Sequence, residues 1–156
     1  MAEPHHPSLS SSLSYRDPKA ALHFLEAAFG FEPTMVILDK DDNVAHSEMR
    51  FGDGLIMVGR EWSDDHKSPA SLGGKNTQSV HMQLTPEHGG DIDAHCERAR
   101  KAGARILMEP ADQFYGDRSY RAADPEGHIW SFAQTVRETT PEEWEATTGF
   151  RTRTRL

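Results

Sequence analysis

Residues 9–30 read LSSSLSYRDPKAALHFLEAAFG, and a strand, a helix start and a helix stop follow one another within that stretch. Residues 9–15 alternate apolar with small polar side chains, the pattern of a half-buried strand. Asp17 is an N-cap, and Pro18 stands at the first helical position, where its missing N–H does no harm. Ala21, Leu22, Leu25, Ala28 and Phe29 recur at helical spacing and form one apolar stripe. Gly30 can adopt the left-handed conformation that ends a helix. Moving outward, the pattern predicts three strands near 34–39, 45–51 and 55–59. Asp42-Asn43 marks the first turn and Gly52-Asp53-Gly54 the second.

After a polar stretch at 61–77 the same order begins again. Residues 79–84 read as a strand, and Thr85-Pro86 repeats the cap-plus-proline device. Ile92, Cys96 and Ala99 form the stripe, and Gly103 ends the helix. Strands near 105–108, 118–123 and 128–133 follow, the last two joined by Asp124-Pro125-Glu126-Gly127, a type I turn signal. Strand, helix and three strands, twice over, predict an α+β fold of two tandem βαβββ modules, 9–60 and 78–135, within a single domain of residues 1–156. A sheet with a helix on one face must curl its other face around something or pair it. Two modules side by side therefore predict a cupped, barrel-like mixed sheet with helices outside and a ligand cavity on the concave face. Thr140-Pro141-Glu142-Glu143 is a capping box that opens a short C-terminal helix over 139–149, with Trp144 as its apolar handle.

Composition narrows the function classes. A net charge of −8 argues against a nucleic-acid surface and favours neutral or cationic ligands. No apolar run reaches the length of a bilayer span, and residues 1–8 have neither the basic nor the apolar region of a secretory leader. The single cysteine, Cys96, excludes an internal disulfide and fits a cytoplasmic protein. No nucleophile elbow, phosphate-binding glycine loop or zinc ribbon is present.

Alternation assigns side chains to faces. Leu13 and Tyr15 should face the helix, leaving Ser10, Ser12 and Ser14 on the concave side. Val80, Met82 and Leu84 likewise leave His81 and Gln83 in the cup. A two-residue turn at Gly52-Asp53 opposes Glu48 to Met57, Arg50 to Leu55 and His46 to Gly59, so His46 and Glu48 share a face with Met57. The same construction around Pro125-Glu126 opposes Tyr120 to Ser131, Ala122 to Ile129 and Arg118 to Ala133. A one-residue slip would flip either set. Trp130 and Cys96 are expected in the core, and Trp62 serves as a lid or a dimer contact.

These features resemble the vicinal oxygen chelate superfamily, the glyoxalase, bleomycin-resistance and extradiol-dioxygenase group. The likeness is carried by Tyr15-Arg16-Asp17-Pro18 through Phe29-Gly30-Phe31, by Glu48-Met49-Arg50-Phe51-Gly52-Asp53 with Leu55-Ile56-Met57, by Val80-His81-Met82, and by Ala123-Asp124-Pro125-Glu126-Gly127-His128. With Tyr115-Gly116-Asp117-Arg118, the last segment is similar to the PhnB-like branch. That resemblance places Tyr115, Arg118 and Tyr120 at the pocket mouth, although Arg118 could instead pair with Asp117 or Asp124. Metalloenzymes of the group hold a divalent ion at four strand positions, which fall here on Ser10, Met57, His81 and Ser131. Hydroxyls and a thioether are poor ligands for such ions, which leaves His81 alone. The expectation is therefore no cofactor, with a displaced metal near His81, Glu48 and His46 as the minority reading.

The resemblance implies a small-molecule-binding homodimer of the resistance type, capturing a polar or cationic organic ligand without metal. Its ligand contacts would be Ser10, Ser12, His46, Glu48, Met57, His81, Gln83, Tyr115, Arg118, Tyr120 and Ser131. The alternative is a metal-dependent or base-catalysed lyase, isomerase or dioxygenase, with His81 as the candidate base.

Overall fold

A computed structural model describes residues 6–88 and 90–156; the reading of residues 1–8 as carrying no leader rests largely on 1–5, outside that range. Strand β1, Ser11–Tyr15, leads into helix α1, Pro18–Phe29. The Asp17 carboxylate accepts from the Ala20 amide at 3.0 Å. Gly30 closes the helix at φ 82°, and the expected stripe is the buried face. Strands β2 (Glu32–Leu38), β3 (Val44–Phe51) and β4 (Gly54–Arg60) complete the module. The second module repeats it with β5 (Val80–Gln83), α2 (Ile92–Lys101), β6 (Arg105–Asp112), β7 (Asp117–Ala123) and β8 (Ile129–Thr135), and helix α3, Pro141–Thr148, follows behind its capping box. The strand orders are β1-β4-β3-β2 and β5-β8-β7-β6, with β1 parallel to β4 and β5 parallel to β8. The α+β architecture is the one expected: two mixed sheets with helices packed on one face. The sheets do not hydrogen-bond to each other, so no barrel closes.

Three local expectations need correction. The first strand begins at Ser11, opposite Ile56 of β4, and Leu9 and Ser10 lie before it. Thr85-Pro86 opens only a 3-10 turn, Pro86–His88, and α2 starts later, where the Asp91 carboxylate accepts from the Asp93 and Ala94 amides. Gly90 breaks the two apart at φ +47°, where a Cβ would lie 2.9 Å from Pro86 Cα.

The third correction concerns register. The β3–β4 hairpin pairs Glu48 with Met57 and Arg50 with Leu55 as expected. The β7–β8 hairpin is one residue off: Tyr120 opposes Phe132, Ala122 opposes Trp130 and Arg118 opposes Gln134. Asp124 pairs with His128 through Asp124 N–H···O, and Gly127 sits at φ 93°. The loop is thus Pro125-Glu126-Gly127, a type I turn extended by a left-handed glycine, and the extra residue flips β7 relative to the two-residue reading.

One core serves both modules. Phe29 packs against Trp130 at 5.4 Å and Phe132 at 4.8 Å, and Phe31 meets Trp130 at 5.4 Å. Burying each such ring stabilises the chain by about 2–3 kcal/mol. Buried Asp124 also joins the modules: its carboxylate accepts from Tyr15 Oη at 2.6 Å, Trp130 Nε1 at 3.1 Å, and the amides of Glu126 and His128. Glu126 in turn accepts from the Arg16 and Asp17 amides. Because the helix-covered faces of both sheets meet in this core, their opposite faces look outward. Every residue of β2 is exposed, as are His81, Gln83 and Arg121.

Candidate ligand-binding site

The uncovered face of the first sheet carries a row formed by register: Ser12 beside Met57, Met57 beside Glu48, Glu48 beside Met35. His46 lies one row along, opposite Ile37, and its Nε2 is 3.2 Å from Glu48 Oε1. Those two residues meet as their shared face predicts. The corresponding row on the second sheet is His81, Ser131, Arg121 and Met108.

A hydrogen-bond relay runs along this second face, and its polarity is fixed by the carboxylate at its end. Thr135 Oγ1 donates to Asp117 at 2.8 Å and accepts from Gln83 Nε2 at 3.1 Å. The Gln83 carbonyl oxygen therefore faces His81 Nε2, 3.4 Å away, so Nε2 carries the proton. His81 Nδ1 lies 3.1 Å from Ser131 Oγ, within hydrogen-bond distance. His81 is thus held between the Gln83 carboxamide on its own strand and the Ser131 hydroxyl on β8.

The two faces meet at a seam between β1 and β5. A cleft of about 560 Å³ there brings together Ser10, Ser12, Leu55 and His81. A second opening of about 320 Å³ lies under the inter-module loop, lined by Ser12, Ser14, Asp65, Lys67 and His128. Trp62 in that loop is 68% exposed and stacks on His66 at 4.0 Å.

The register correction moves two expected contacts off the site. Tyr120 is buried on the helix side, where its hydroxyl donates to His95 Nδ1 at 2.6 Å. Arg118 is also turned toward α2 and is clamped by Asp93 at 2.9 Å and Asp112 at 3.0 Å, rather than by Asp117 or Asp124. Tyr115 sits in the β6–β7 turn, edge-on to Phe114 at 5.1 Å, its carbonyl accepting from Thr139 Oγ1. Arg121, Met108 and Met35 were missed. Gly127 was the available signal, since counting it into the loop puts Arg121 opposite Ser131. His95 was also missed: its Nε2 donates to the Phe29 carbonyl at 2.9 Å, and burial holds its pKa below the ordinary value.

The residues do not suit a divalent ion. The donors at the four strand positions are two hydroxyls, a thioether and one imidazole. His46 and Glu48 touch, but His81 stands on the other sheet, bonded to Ser131 and Gln83. Among the described residues no group of three or more His, Cys, Asp or Glu side chains could hold a metal.

The family model described as the Glyoxalase/Bleomycin resistance protein/Dioxygenase superfamily matches residues 5–132. The chain belongs to this superfamily. The uncharacterized protein Mb0911c of Mycobacterium bovis is 32% identical over 144 residues, covering 90% of this chain and 91% of that one. Among solved structures, TioX from Micromonospora sp. ML1 is 29% identical with a TM-score of 0.66, over 84% of this chain and 100% of TioX. TnmS3, described as an antibiotic binding protein from Streptomyces sp. CB03234, shares the superfamily fold at 17% identity and TM-score 0.63, over 87% of this chain and 99% of its own.

Proposed function

We propose that this chain is a metal-independent small-molecule-binding protein of the resistance or sequestration type, acting as a homodimer. The observation that carries the proposal is the pair of polar sheet faces, Ser12–Met57–Glu48 and His81–Ser131–Arg121, which a single chain leaves open. A second copy that sets its first-sheet face against the second-sheet face of this one would enclose a ligand in each of two chambers. Methionines and aliphatic side chains would supply affinity, while Glu48, His81, Gln83 and the serines orient polar groups. The likeness to TioX and to the antibiotic-binding TnmS3 supports this reading, and a donor set poor in metal ligands supports metal independence. Placement in the PhnB-like branch rests on residues 115–118 and 123–128, and a cytoplasmic location on the lone thiol.

The test is a thermal-shift screen of divalent metals and of natural products, bleomycin among them, alongside light scattering for molar mass. A dimer stabilised by an organic compound and indifferent to chelators is expected. A stoichiometric divalent ion lost in His81→Ala would overturn metal independence, and a monomer would overturn the enclosed chamber. The enzyme reading has one specific observation in its favour, the chain of polar contacts from Asp117 through Thr135 and Gln83 that holds His81 in place. Turnover of a screened compound, abolished in His81→Ala, would establish it.

A further inference from the structure

We infer that Arg121 is the anion-reading residue of this site, so that the ligand carries an oxyanion, a carboxylate or phosphate group, at the end bound by the second sheet. The inference rests on the ligand-binding reading above and adds the class of group recognised.

The geometry begins with register. Tyr120 and Ala122, on either side of Arg121, are fully buried toward the helices. Arg121 therefore points to the uncovered face, between Ser131 on β8 and Met108 on β6. This is the interior of the sheet, since β7 is flanked on both sides. A guanidinium presents five donors in a planar fork matched to two oxygens.

Several other arginines are given such partners, although Arg16 and Arg105, neither of which stands beside His81 and Ser131, make no ion pair among the described residues either. Arg118 holds Asp93 at 2.9 Å and Asp112 at 3.0 Å, Arg100 holds Glu109 at 2.6 Å, and Arg60 and Arg137 stand 3.9 and 3.8 Å from Asp39 and Glu143. Arg98 is spent on the Ala27 and Glu26 carbonyls at the end of α1. Among the described residues Arg121 has neither a carboxylate within ion-pair distance nor a hydrogen-bond acceptor. In a chain with 25 acids and 17 bases, that leaves an unmatched cation beside two polar ligand candidates, His81 and Ser131. The net charge of −8 is a property of the whole surface, and it does not set the sign of the potential within a few ångströms of this guanidinium. The first-sheet face, with Glu48 and His46, has the opposite character. A ligand spanning both would carry its oxyanion toward Arg121 and a donor or cationic group toward Glu48.

The experiment titrates full-length protein with benzoate and, separately, with inorganic phosphate, following arginine Nε–H and backbone amide resonances by NMR. Saturable shifts centred on Arg121, Ser131 and His81 are expected. Arg121→Gln should weaken binding at least tenfold, Arg121→Lys should weaken it less, and Arg155→Gln, which removes the same charge from the exposed tail, should leave it unchanged. Benzoate alone saturating identifies a carboxylate reader, and phosphate alone a phosphate reader. Equal losses in Arg121→Gln and Arg155→Gln would reduce the effect to net charge and overturn the inference. So would unchanged anion affinity in Arg121→Gln accompanied by a weakened dimer, which would make Arg121 an interface residue. If a neutral compound binds the same face equally well in Arg121→Gln while the anions do not bind the wild type, the pocket stands and the anion assignment falls. If no compound of any charge shifts these resonances, both fall together.

Discussion

Asp124 carries more of the fold than any neighbouring residue in its hairpin. Its two oxygens accept from one ring hydroxyl, one indole N–H and two amides, and two of those partners are the buried rings Tyr15 and Trp130, one from each module. Asp124→Ala strands these donors away from water and is expected to lower stability by about 3 kcal/mol, measured by urea denaturation. His95 is the other buried polar residue with a clear consequence. Burial, opposed only in part by its bond to the Phe29 carbonyl, lowers its pKa in the folded state from 6.5. The unfolded chain therefore takes up the extra proton as pH falls below 6.5. The contribution of His95 is complete above that value and is lost progressively below it. The melting temperature should decline between pH 7.5 and 5.5, ahead of the carboxylates, and His95→Gln should flatten that slope.

At the scale of elements, the two hairpins show how one residue decides a face. The β3–β4 turn closes on Gly52-Asp53, and its register follows from the sequence by simple counting. The β7–β8 turn has the same outline but takes a third residue, because Gly127 accepts the left-handed conformation at φ 93°. That single addition buries Tyr120 and exposes Arg121. Gly127→Ala would hold an alanine at positive φ with its Cβ 3.2 Å from Pro69, a loss of about 1–2 kcal/mol by thermal or urea unfolding. Helix α2 teaches a related lesson. Thr85-Pro86 has a helix-start signature, yet Asp91 is the cap that works, since Gly90 stands between them at a positive φ. Local propensities identified every strand and α-helix but left the 3-10 turn Pro69–Leu72 within a loop, and a cap or a turn was misjudged where a glycine altered the count.

At the scale of the whole molecule, the shared core and the open faces are two sides of one arrangement. Phe29 and Phe31 of the first module pack on Trp130 and Phe132 of the second, so the modules are joined back to back through their helices. Strand β2 is left as an exposed edge with Met35, Val36, Ile37 and Leu38 each more than a third accessible. Such an edge is a pairing liability unless it is covered. If the chain forms the dimer proposed above, Ile37→Lys, on the same face as His46, shifts it toward monomer in light scattering while its circular dichroism stays unchanged.

The sequence by itself determined the duplicated βαβββ plan, the buried stripe of α1, the β3–β4 register, and the meeting of His46 with Glu48. Each follows from short-range rules: side-chain period, helix caps and the length of a tight turn. The facing of β7 was already implied by Gly127 in its turn. Only the tertiary structure decided that Arg118 is clamped by Asp93 and Asp112 and that Arg121 is left without a carboxylate. It also decided that the two sheets share one core and turn their polar faces away from it. Those outcomes depend on contacts between residues far apart in the chain, such as Phe29 with Trp130 and Tyr15 with Asp124. Their energies come from burying area that exists only once both modules have formed, and no local pattern encodes them.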